Sequence, residues 1–208
     1  MGTHLMGCTP YPVWQYLQGQ NVEALVDYRE KFLKDIKLAS SLEEEIPRIA
    51  FAVRNCEGSL VNILTLELEG LLLLANVGKR YRLISSDASI VGASVHFGEP
   101  ETVLGIAISV ESAMASIIAT NGMPCWASLG PTGMRTLNVP AHVEKIVIYS
   151  DVDPSGQVEE AASALATRLQ ITGRNVMLIP PPCAALGLSG NVRWHDAWMV
   201  AGNELLHA

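Results

Sequence analysis

The sequence predicts an α/β fold, in which a parallel, Rossmann-like C-terminal module is preceded by a helix and a small antiparallel β module. Three observations predict it. Ile146-Val147-Ile148-Tyr149 is a short apolar run that ends in an acidic turn and feeds an amphipathic helix, as a buried strand does on entering a crossover. After Pro100 such strands and helices alternate, the pattern of parallel βαβ units. Before Pro100 short apolar segments follow one another across tight turns, which favours antiparallel pairing. The chain therefore divides at 1–100 and 101–208, with no internal repeat.

In chain order, Val13 to Lys37 reads as a helix with Leu25, Tyr28, Phe32 and Ile36 on one stripe. Residues 40–45 are a polar connector closed by Pro47. Ile49, Phe51 and Val53 alternate as a strand does, Cys56-Glu57-Gly58-Ser59 supplies a turn, and Leu60 to Glu69 returns as a second strand. Leu71 to Val77, Arg80 to Ile84 and Ile90 to Phe97 are three more short apolar segments. Val103 to Val110 is a strand and Glu111 to Thr120 a helix rich in small residues, stopped by Asn121-Gly122 as a left-handed cap. Cys125 to Leu129 is a strand, Gly130 to Gly133 a loop, and Leu137 to Pro140 a connector. Val158, Ala161, Ala162, Leu165 and Leu169 mark the helix after the acidic turn, with Thr172-Gly173 as its stop. Asn175 to Pro180 is a further strand, Pro180-Pro181-Pro182 a break, and Trp194 to Leu206 a closing helix.

Composition narrows the functional classes. Hydrophobic residues make up 49 % of the 208, enough for a sizeable core and against general disorder. With 14 basic against 21 acidic residues and no Lys/Arg run, the balance argues against tight nonspecific binding of nucleic-acid phosphates and leaves room only for a local basic patch. Cys8, Cys56, Cys125 and Cys183 are far apart and form no CxxC pair, so neither a zinc site nor a redox motif is suggested. No secretory signal is seen, and runs such as Leu71 to Ala75 are too short to span a bilayer. A reduced, cytoplasmic setting is expected. Residues 1–6 read as a cloning remnant, because a second Met follows.

The chemistry is concentrated in Asp151-Val152-Asp153-Pro154-Ser155-Gly156. Carboxyl ends of parallel strands are where ligands bind in such sheets, and two carboxylates there suit a hard divalent cation such as magnesium. The plain structural role is an N-cap, with Pro154 at the first helical position. It accounts for Asp153 better than for Asp151.

Several pieces together resemble the Toprim domain, the fold shared by bacterial primases, topoisomerases and some nucleases, in the form found in proteins of plasmids, phages and integrating elements. They are Glu111-Ser112-Ala113, the strand Pro124-Cys125-Trp126-Ala127-Ser128-Leu129, the acidic turn from Asp151 to Gly156, and Arg193-Trp194-His195-Asp196. Tyr16-Leu17-Gln18-Gly19-Gln20 and Thr65-Leu66-Glu67-Leu68 resemble what precedes that domain in the same group. The resemblance implies that Asp151 and Asp153 are the metal-holding pair and that Glu111, an acid in the family too, belongs to the catalytic set. Arg193, His195 and Asp196 are implied as accessory.

Two departures carry weight. Where the family ends its first strand in Glu-Gly, this chain has Ile108-Ser109, and an aliphatic side chain can neither move a proton nor hold magnesium; general acid–base help is typically worth ~10²–10⁴-fold. Arg193 puts a positive charge where the family has a negative one. For Glu111 a structural role at a helix N-terminus is preferred, and His195 reads as packed or solvated rather than catalytic. The resemblance with these departures implies a mobile-element protein that has lost catalysis. It would act by binding and obstructing a component of replication or conjugative DNA transfer, in the manner of fertility inhibition, with magnesium weakly held or lost. The alternative is an active magnesium-dependent primase or nuclease in which Glu111 or Asp196 supplies a third carboxylate beside Asp151 and Asp153. A third option is nucleic-acid binding through Lys79, Arg80 and Arg82. It is outweighed by a solvated strand edge.

Overall fold

The computed structural model describes residues 11–39, 48–67, 81–86 and 88–207. The expectations for the polar connector at 40–45, for Leu71 to Val77 and for Lys79 and Arg80 lie outside these residues. The elements are α1 (Tyr11–Gly19), a 3-10 turn (Glu23–Tyr28), α2 (Arg29–Phe32), β1 (Ile36–Ala39), β2 (Arg48–Arg54), β3 (Leu60–Glu67), β4 (Tyr81–Leu83) and β5 (Ser94–Phe97). Then follow β6 (Val103–Ala107), α3 (Val110–Ala119), β7 (Cys125–Ala127), α4 (Pro131–Thr136), β8 (Lys145–Tyr149), α5 (Gln157–Ile171), β9 (Asn175–Ile179), α6 (Cys183–Leu186), α7 (Trp194–Ala201) and a 3-10 turn (Gly202–His207).

Among the described residues the strands form one sheet in the order β4-β3-β2-β5-β7-β6-β8-β9, with β1 added to β2. β6, β7, β8 and β9 pair in parallel, and β1 to β5 antiparallel. The two halves meet where β5 pairs antiparallel with β7, His96 opposite Trp126. The mixed α/β architecture with a parallel C-terminal region is the one expected. Its sheet runs without a break across the boundary drawn at residue 100.

Strand alternation sorts the apolar side chains onto two faces. One core holds Tyr16, Leu17, Phe51, Phe97, Met114, Trp194 and Trp198, under the N-terminal segment, α3 and α7. The other holds Ile106, Trp126, Ile146, Ile148, Met134, Leu165 and Leu169, under α4 and α5. Each large side chain so buried contributes about 1.5–3 kcal/mol. Alanines 161, 162 and 166 let α5 lie close on the sheet.

Three elements depart from expectation. Val13 to Lys37 is not one helix. Asn21 takes the left-handed conformation (φ 55°), with Val22 N donating to Leu17 O at 2.9 Å and Asn21 N to Gln18 O at 2.9 Å. That double bond pattern closes a helix C-terminus. Tyr28 is consequently 62 % exposed, and Ile36 lies in β1 opposite Phe51. Gly130 to Gly133 is not a loop but the entry to α4, with Pro131 in its first turn. Of Ile90 to Phe97, only Ser94–Phe97 is strand. Asn121 and Gly122 do close α3, by the same pattern that Asn21 and Val22 use: Gly122 N donates to Ile117 O and Asn121 N to Ile118 O.

Candidate site at the carboxyl ends of β6 and β8

The end of β8 is built first by a single bridge. Beyond Tyr149, Val152 and Val192 exchange backbone hydrogen bonds of 2.8 Å in each direction. This brings the start of α7 alongside the acidic turn, 43 residues away in sequence, and Trp194 N donates to Asp151 Oδ1 at 2.8 Å. Asp151 is 4 % exposed, and burial pushes its carboxyl up to about 7, against the lowering effect of the Trp194 N–H and of Arg193. Asp196 and Glu111 raise it further. No ion pair to Asp151 exists among the described residues.

Asp153 faces its own turn. Its Oδ1 accepts from Ser155 N at 2.8 Å and from the Ser155 hydroxyl, and its Oδ2 from Val158 N at 2.8 Å. These donors hold its carboxyl below the ordinary value, the Ser155 hydroxyl most of all. Gly156, at φ +70°, takes the cap position and the helix begins at Gln157 rather than at Pro154. Asp153 thus does the capping work proposed for it, from three residues further back than a simple N-cap.

At the end of β6, Ile108 (7 % exposed) leads to Ser109, whose Oγ accepts from Ser112 N at 3.2 Å and caps α3. Glu111 is 1 % exposed. Its Oε1 accepts from the Tyr81 hydroxyl at 2.6 Å and the Tyr16 hydroxyl at 3.2 Å. Burial raises both phenols well above their ordinary pKa, and the adjacent Glu111 adds to the shift. These two tyrosines are site residues that sequence reasoning did not single out; α1 and β4 bring them together across 65 positions.

Arg193 does not stand free in the site. Its Nη2 donates to Asp196 Oδ1 at 2.6 Å and its Nε to both carboxylate oxygens at 3.1–3.2 Å, while its backbone N donates to Oδ2 at 2.9 Å. The pair locks the first turn of α7. His195 is buried, with Nε2 at 3.1 Å from Gln20 O and its backbone N donating to Ser112 Oγ.

Ile108, Ser109, Val110, Leu129, Gly130, Asp151 and Arg193 join Leu64 and Tyr81 around a cavity of about 320 Å³. Leu129 sits there in the left-handed region (φ 64°), a conformation costly for a branched side chain and met mostly at functional turns. Of the expected site residues, the fold gathers Asp151 and Arg193 at the cavity wall and puts Glu111 behind Tyr81. It turns Asp153 away into its cap. Among the described residues no group of three or more His, Cys, Asp or Glu is arranged to hold a metal ion. The donor set, with Glu111 under two phenols and Asp153 filled by N–H and O–H donors, does not fit a divalent cation, which needs several oxygens at once. No helix of the described residues is long and apolar enough to cross a membrane.

Comparison with known proteins agrees with this architecture. The family model for the Toprim domain matches residues 103–204. No curated protein sequence matches the chain. Among solved structures, the primase fragment of the bacteriophage T7 primase-helicase protein superposes with a TM-score of 0.55 at 10 % identity. The match covers 91 % of this chain and 66 % of that fragment, just under two thirds of its length. A complex of bacteriophage T7 lagging-strand DNA polymerase with primase domains bound to an RNA/DNA hybrid and dTTP gives 0.46 at 14 % identity, over 73 % of this chain and 76 % of that one. At 10 % identity the likeness to the primase fragment is one of fold.

Proposed function

We propose, from the premise that residues 103–204 are a Toprim domain related in fold to a phage primase, that this chain works by binding and not by nucleotidyl transfer. The observation that carries the proposal is Ile108. It stands at the carboxyl end of β6, on the wall of the cavity that Asp151 also lines, where the family resemblance calls for a proton-handling acid. Glu111 and Asp153 support it, since both are committed to internal hydrogen bonds. The partner is a protein of a replication or conjugative DNA-transfer apparatus in a mobile-element setting, and the effect is interference of the fertility-inhibition kind, in the cytoplasm.

The test has two arms. Purified protein incubated with single-stranded template, nucleoside triphosphates and millimolar Mg²⁺ or Mn²⁺ is expected to make no primer and to cut no strand. Expressed in a donor cell, it is expected to lower plasmid transfer, and Ile108→Glu is expected to leave that effect in place or weaken it without creating synthesis. Metal-dependent synthesis or cleavage by the wild type, lost in Asp151→Ala, would overturn the proposal in favour of an active enzyme using Asp151, Asp153 and Glu111.

A further inference from the structure

We propose that the cavity between β6, β8 and β4 is a socket for a primary ammonium group on an unbranched alkyl stem, supplied by a lysine side chain of the protein partner. The proposal rests on the non-catalytic reading above and names the chemistry of that partner.

Two features of the cavity converge on this class. Its lining is mostly apolar, with Leu64, Ile108, Val110 and Leu129 beside Tyr81. Set into those walls is one carboxylate, Asp151, buried to 4 % exposure, with a single hydrogen bond from Trp194 N and no ion pair among the described residues. A buried charge without a counter-charge is unfavourable until a cation reaches it. The cation among the described lining residues does not serve, because the Arg193 guanidinium is tied to Asp196 through Nε and Nη2. With Arg193 paired to Asp196, Asp151 is the carboxylate that an ammonium group meets among the described lining residues.

The other occupants fit less well. A divalent metal wants several carboxylates, and here one faces the cavity. A phosphate or a polynucleotide backbone would meet the buried carboxylate of Asp151. A lysine side chain satisfies both features, since its four-carbon stem lies along apolar surface while its ammonium donates to a carboxylate. Ile108 then has a positive role, for it supplies the apolar wall that an acid would remove.

The test uses the intact chain at pH 8 and small probes, with binding read from amide shifts in ¹H–¹⁵N spectra. Pentylammonium chloride is expected to bind saturably, moving the amides of Asp151, Val152 and Trp194. Pentan-1-ol, of equal length and no charge, is expected to bind at least about tenfold more weakly, the worth of a charge-assisted hydrogen bond. N-acetyl-lysine methylamide is expected to bind and its Nζ-acetylated form not to. Asp151→Asn should abolish the preference for the ammonium while leaving the alcohol unchanged. If that variant does not fold, the comparison of ammonium with alcohol on the wild type decides alone. Equal binding of the two probes, or binding of the free amine without the blocked lysine, overturns the assignment. The primase and cleavage assay is separate. Synthesis by a protein that still prefers pentylammonium removes only the non-catalytic reading, and an inert protein without that preference removes only the socket.

Discussion

Asp151 and His96 titrate in opposite senses, and together they make a pH prediction at the level of single residues. Burial raises the Asp151 carboxyl to about 7, so between roughly pH 4 and 7 the folded protein holds a proton there that the unfolded chain has released. That contribution to stability is full below the unfolded pKa and is lost as pH rises through 7. His96 is 3 % exposed and stacked on Trp126 with ring centroids 3.6 Å apart, and neither of its ring nitrogens has a hydrogen-bond partner. Burial lowers it to about 4, while Glu99 and Asp35 pull it up and Arg54 and Lys34 push it down. Below about 6.5 the unfolded chain binds the proton that folded His96 refuses, so this contribution falls as pH drops. Over pH 4–6.5 the two slopes oppose one another and the wild-type urea midpoint is expected to stay nearly flat. Asp151→Asn should expose the His96 slope, with stability rising with pH across that window, and His96→Gln the reverse. Parallel profiles for the two variants would refute the assignment of either group.

At the scale of elements, Glu111 is the knot between α1, β4 and α3. The 2.6 Å contact from Tyr81 has the length of a charge-assisted O–H···O bond. Tyr81→Phe is expected to cost about 1.5–3 kcal/mol in denaturant titration. A cost below about half a kcal/mol would mean that the phenol is not needed there. α4 makes a second such prediction. A Cβ on Gly133 would lie 1.8 Å from Ser128 O, so Gly133→Ala must push α4 off the end of β7, at about 1–3 kcal/mol, and should disturb the cavity that Leu129 and Gly130 line. How far such features are legible in the sequence depends on range. The close of α3 at Asn121 could be read because Gly122 follows and the apolar run stops. The equivalent close of α1 at Asn21 could not, because Val22 and Leu25 continue a helical spacing across it. α4 was missed because six residues with a Pro and a Gly look like a loop. In the site, Asp151 and the Arg193–Asp196 segment were found through motif order. Tyr81 was not, and Tyr16 was read only as part of a segment preceding the domain, since they lie 30 and 95 residues from the Glu111 they serve, and only the pairing of β4 and the packing of α1 bring them there.

The whole molecule behaves as its sheet dictates. The sequence divides by pattern near residue 100, yet β5 lies between β2 of one half and β7 of the other. The larger core mixes Tyr16, Leu17 and Phe51 from the first half with Met114, Trp194 and Trp198 from the second. Trp198 Nε1 donates to Asn21 O at 2.8 Å, and His195 Nε2 lies 3.1 Å from Gln20 O, each spanning about the length of the chain. Cutting the chain at residue 100 would strip β7 of one neighbour, open an apolar sheet edge and uncover α7, which leaves neither half with a closed core. The two modules should therefore melt together. Calorimetry is expected to show one transition with equal calorimetric and van't Hoff enthalpies and a heat-capacity increment of about 2.5–3 kcal/mol/K for the chain. The β7 variant Trp126→Ala should lower that one transition as a unit. Two resolved transitions, with Trp126→Ala shifting only the one assigned to residues 101–208, would instead make the halves independent domains, with the β5–β7 seam a docking contact between them.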